Sequence, residues 1–142
     1  MGHVHHSLSD KIVRKEAAVE HFEQLLFRES CKLAAHNTIR AAPLPWASSM
    51  GTDAQTTRLP HWVSPSLVVP NLPPSRLWVE MRKALYFHQW SEEDVTDEQC
   101  RLRVDERAML LEGMVQVLEG RLQKEKMKLA DLKDSLKGNV AA

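Results

Sequence analysis

The chain is short of several residue types, and each shortage closes off a class of protein. Only two of its 142 residues are cysteine. Cys31 and Cys100 form no CxxC pair, so no disulfide framework or cysteine zinc site is expected, and a reducing intracellular setting is. Glycines number five, and none builds the GxGxxG or GxxxxGK loop that cradles phosphate. Charge of either sign is not in excess: Lys and Arg total 19, Asp and Glu total 19, and the pI is near 7.1. Nucleic-acid modules and polybasic membrane binders carry a clear positive excess, so neither nucleic acid nor membrane is an expected partner. No apolar run approaches the ~20 residues of a membrane helix.

The first residues lack the apolar core of a signal peptide. They also lack the acid-poor composition of a transit peptide, since Asp10, Glu16, Glu20, Glu23 and Glu29 are spread through them. Met1-Gly2 opens a myristoylation pattern, but His6 stands where Ser or Thr is required.

Catalytic constellations are missing too. His3, His5 and His6 form an HxHH cluster on a terminal tail that pre-organises no coordination geometry. His21, His36, His61 and His88 are scattered, with no HExxH and no matching cysteine spacing. The carboxylates follow helical surface spacing rather than forming a pair poised for acid–base work. Neither cysteine has a neighbour that would activate a thiolate. The expectation is a non-enzyme with no catalytic, cofactor-binding or metal-binding residues.

What the sequence does have is a concentration of proline. All seven prolines fall between Pro43 and Pro74. Proline fixes φ and removes a backbone donor, so residues 43–74 read as an extended strap. A solvated linker would be polar. This one carries Leu44, Trp46, Met50, Leu59, Trp62, Val63 and Leu67, so a surface for it to lie on is expected. Trp46 and Trp62 are its candidate partner-binding anchors. Each sits beside a proline or one residue beyond, on backbone that is stiff before binding.

Helices flank the strap. After a flexible tail over 1–8, residues 9–42 read as an amphipathic helix capped by Ser9, with Ile12, Val19, Leu26 and Leu33 one heptad apart. Residues 75–90 read as a short aromatic helix, with Ser75 as cap and Leu77, Trp78, Met81, Leu85 and His88 on one side. A long helix occupies 91–138, opened either at Ser91 or by the capping box Thr96-Asp97-Glu98-Gln99 and stopped at Gly138. Residues 139–142 form a tail.

The long helix carries a heptad seam. Val104, Ala108, Leu111, Val115, Leu118, Leu122, Glu125, Leu129, Leu132 and Leu136 alternate three and four apart, the period of a coiled coil. Glu125 is its one polar member, either a register-setting contact or a point where the seam meets water. A parallel homodimer would set Arg121 against Lys126 and Lys128 against Lys133, which disfavours it. An antiparallel self-pair, a fold-back on the first helix and a foreign helix all remain open. Gly113 and Gly120 lie opposite the seam, as plain surface glycines or as a place where another backbone comes close. Leu111, Val115, Leu118, Leu122, Leu129, Leu132 and Leu136 join the tryptophans as candidate partner-binding residues.

The fold expected is all-α and elongated: long amphipathic helices, a Pro-rich extended segment, a coiled-coil-like C-terminal helix and no compact globular core. The function expected is that of a structural subunit stapling protein neighbours in a multi-subunit assembly. Lumenal proteins of ciliary doublet microtubules look like this in broad architecture, which makes tubulin and other axonemal proteins candidate partners and the cytoskeleton a candidate location. Accessory subunits of mitochondrial complexes share the look. The alternative is a helical coiled-coil adaptor whose Pro-rich segment is a ligand, although only Pro70-Asn71-Leu72-Pro73 has PxxP spacing.

Overall fold

The computed structural model describes residues 2–41, 69, 71–89 and 96–141. Among them every regular element is an α-helix, and the protein is all-α: α1 (Gly2–Arg40), α2 (Pro74–Gln89) and α3 (Asp97–Ala141). Most of the strap, with Trp46 and Trp62, lies outside the described residues.

Helix α1 runs for 39 residues and begins at Gly2, not at Ser9 as the capping signal implied. A cap shifts the balance at a helix start by about 1 kcal/mol, and no breaker stands between Gly2 and Pro43, so Ser9 falls inside the helix. Its last turn closes where the Ala41 N–H donates to the Asn37 carbonyl at 3.3 Å. The residue before a proline is pushed out of the α region, which stops the helix short of Pro43.

Helix α2 begins at Pro74, one residue before the expected start. The Leu77 N–H donates to the Pro73 carbonyl at 3.0 Å. Pro73 therefore holds the capping position and Pro74 the first helical one, where a missing N–H costs nothing. Ser75 is an exposed residue of the first turn rather than the cap. Leu72 precedes the cap and packs on the cluster that contains Leu77, the arrangement of a hydrophobic staple.

Helix α3 starts on the second of its two sequence signals. The Gln99 N–H donates to Thr96 Oγ1 at 3.2 Å, and the Thr96 N–H donates to Gln99 Oε1 at 3.1 Å. That reciprocal pair is a complete capping box. The helix then runs 45 residues and passes through Gly138 to Ala141. Glycine weakens a helix by about 1 kcal/mol against alanine, which does not by itself end one.

Two compact units are built from these helices, and α1 and α3 each contribute to both. The first comprises Met1–Phe27 with Val115–Ala142. It is an antiparallel pairing, as its ion pairs show. Lys126 meets Glu23 and Lys133 meets Glu16, at 3.9 and 3.8 Å, so one heptad up α3 is one heptad down α1. Ile12 and Val19 of α1 and Val115 and Leu122 of α3 are its buried apolar residues. The Arg121 guanidinium lies 5.3 Å over the Phe22 ring.

The second unit is Arg28–Met114. Ala34, Ala35 and Ile39 of α1, Leu77, Trp78, Met81, Ala84 and Leu85 of α2, and Cys100 and Val104 of α3 form one apolar cluster. This corrects the expectation of a chain without a compact core. The stripe of α2 supplies a third wall, and small residues at Ala34, Ala35 and Ala84 let three helices close around Met81, which is fully buried.

Candidate interaction surface

The residues with chemical potential serve the fold. Cys31 and Cys100 are buried thiols. Burial pushes the Cys31 thiol above its ordinary range, against the pull of Arg76. A thiol held protonated is a poor nucleophile. His36 is buried, and its Nδ1–H donates to the Lys32 carbonyl one turn back at 2.7 Å. Burial holds this imidazole below its ordinary value of 6.5, and the charges of Arg107 and Lys32 act in the same direction. Glu29 and Glu80, both buried, are neutralised on their own helices: Glu29 by Lys32 at 3.3 Å and Glu80 by Arg76 at 3.4 Å.

A shallow cleft of about 500 Å³ opens among Asn37, Arg40, Ala41, Arg101 and Asp105. Arg40 spans it, donating to Asp105 at 2.9 Å and to Asn37 at 3.4 Å. The Arg40 charge is met within the cleft by Asp105. Among the described residues, no group of three or more His, Cys, Asp and Glu side chains is placed to hold a metal ion. The side chains of His3, His5 and His6 lie outside that description. No described helix is long and apolar enough to cross a membrane.

The heptad seam of α3 is used within the chain. Leu111, Val115 and Leu122 are buried, and Leu118, Leu129, Leu132 and Leu136 are half-buried. Of the three pairings left open by the sequence, the one seen is the fold-back on the first helix. Glu125, the polar member, meets Lys15 at 2.7 Å. Lys15 holds the Glu125 carboxyl below the ordinary carboxylate range, against the opposing push of burial. The irregular seam position is thus a polar contact matched to one residue of α1.

What the seam leaves over is outward. On α3, Leu102, Met109, Leu110, Val117 and Met127 are each at least 60% exposed, and Met114 is 42% exposed. Val13 and Phe27 are outward on α1, and Val79, Tyr86 and Phe87 on α2. Scattered exposed apolar residues are ordinary, whereas a run of them on one helix face is a candidate binding surface. Helical pitch puts Met109, Leu110 and Val117 with Gly113 and Gly120 on the side of α3 away from the seam. Among the described residues, nothing beyond the helix's own backbone lies within 4 Å of the position a side chain would take at either glycine. Sequence reasoning singled out the two glycines but not this apolar strip, because the stronger seam absorbed the reading of the helix. Compared with known protein families, with curated proteins and with solved structures, the chain matches none of them.

Proposed function

We propose that this chain is a non-enzymatic structural subunit that docks onto neighbouring proteins in a large assembly. The observation that carries the reading is the outward apolar strip of α3, which persists after the heptad seam has been consumed inside the chain. A helix with two apolar faces has one to spare for a partner. The cysteines, His36 and the buried carboxylates support the same reading: the thiols are buried in the packed helices, and His36, Glu29 and Glu80 are each engaged by a neighbour on their own helix. The Pro-rich strap, with Trp46 and Trp62, is the second docking element. Among assemblies of this kind, the reading leans to the ciliary or flagellar axoneme, with tubulin or other axonemal proteins as partners. An adaptor that recruits a coiled-coil partner, or an accessory subunit of a mitochondrial complex, is the second reading.

Affinity capture of the endogenous protein under gentle and then high-salt extraction tests this. The expected result is retention in a polymer-containing fraction with defined protein neighbours. Trp46→Ala and Trp62→Ala should weaken that retention while circular dichroism shows unchanged helix. A chain recovered free of any neighbour under gentle extraction overturns the reading.

A further inference from the structure

The outward strip of α3 has a pattern that reads the same from both ends. Glu106, Leu110, Gly113, Val117, Gly120 and Lys124 are alternately four and three residues apart, which is the spacing of a packing seam. All six belong to one helix and all are exposed. Reversed end to end, the series places a large residue on a small one and an acid on a base. Leu110 falls on Gly120, Val117 on Gly113, and Glu106 on Lys124.

From this we infer that α3 pairs antiparallel, through this face, with a second copy of the chain. A two-fold axis beside residue 115 makes the two patches identical and self-complementary, as an isologous interface requires. Each glycine becomes the slot for the other copy's Leu110 or Val117, letting the backbones approach closely. That explains two glycines in mid-helix, where glycine weakens a helix relative to alanine and the described residues place nothing near them. The Glu106–Lys124 pair forms twice by symmetry. A parallel arrangement would instead oppose Glu106 to Glu106 and Lys124 to Lys124. The register has one like-charge contact, Arg107 with Arg121, and it is weakened because the Arg121 guanidinium already lies over Phe22. The paired stretch is about 27 Å long at 1.5 Å per residue, so a reversible dimer is expected rather than an obligate one.

The inference builds on the docking role proposed above, and its test separates the two. Sedimentation equilibrium of the full chain should show a monomer–dimer equilibrium at about micromolar concentrations. Glu106→Lys or Lys124→Glu should each weaken it about tenfold or more, the equivalent of about 1.4 kcal/mol. The double variant Glu106→Lys with Lys124→Glu should restore dimerisation. Gly113→Leu, which fills the slot for Val117, should abolish the dimer with helical content by circular dichroism preserved or increased. A monomer at all concentrations overturns the inference. So does a dimer that ignores Gly113→Leu, or one weakened by the single charge reversals and not rescued by the double. A monomer still captured with other proteins leaves the docking role standing and removes only the self-pairing.

Discussion

At the scale of single residues, His36 and Glu125 show how a fold selects protonation states. His36 was one of several scattered histidines in the sequence, and nothing local marked it out. Folding buries it beside Lys32 of its own helix and within reach of the charge of Arg107 on α3, which disfavours the charged ring. The folded-state value lies below the unfolded one, so the unfolded chain takes up its proton first as pH falls. Stability from the neutral ring is therefore fully present above about 6.5 and is lost as pH drops through that value toward the depressed one. Thermal unfolding at pH 7.5 and pH 5.5 should show a drop in Tm that is smaller in His36→Gln, and an equal drop in both would contradict the assignment. Glu125 was visible beforehand as the wrong residue in an apolar seam. Its partner Lys15 was not, because the two stand at opposite ends of the chain and meet only when α1 and α3 pair.

At the scale of elements, local chemistry decided where α3 starts. The hydroxyl of Thr96 and the amide of Gln99 satisfy each other's backbone donors, and those four residues alone contain the instruction. Stops and other starts were less legible. Ser9, Ser75 and Gly138 carry real preferences, but each is worth about 1 kcal/mol or less, and the chain overrode all three. The inward faces were readable from periodicity, since Ile12, Val19 and Leu33 on α1 and Val104, Leu111, Val115 and Leu122 on α3 are all buried. Which helix each face meets was not readable. The charge pattern at Lys126 and Lys133 ruled against a parallel copy and left three partners. The antiparallel register in the first unit is testable through its ion pairs. In a double-mutant cycle, Lys126→Glu and Glu23→Lys should each destabilise slightly and together recover. The coupling should be a few tenths of a kcal/mol, as for exposed pairs. Zero coupling in urea unfolding at low salt would mean that the pair does not form.

At the scale of the whole molecule, each of the two units has its own buried centre, and substitutions should act on the unit that holds them. Leu122→Asp puts a carboxylate among the buried residues of the first unit. Losing a buried leucine typically costs about 2–5 kcal/mol, and burying an unpaired charge adds to that. Hydrogen exchange should show lost amide protection across 115–141 and within 2–27, whereas Gln123→Asp, on the exposed side, should leave protection unchanged. Equal effects of the two substitutions would reject the inward orientation of the seam. By itself the sequence determined the helical class, the inward faces, the capping box and the proline-bounded end of α1. These follow from backbone stereochemistry and from the period at which apolar residues recur, both of which are local. Only the tertiary structure decided that the seam of α3 is satisfied by α1 and that α2 closes a three-helix core over Met81. It also decided that Lys15 answers Glu125 and that a second apolar face with two open glycines remains outside. Those outcomes depend on which distant surfaces bury each other best, a competition among long-range contacts that no stretch of local sequence encodes.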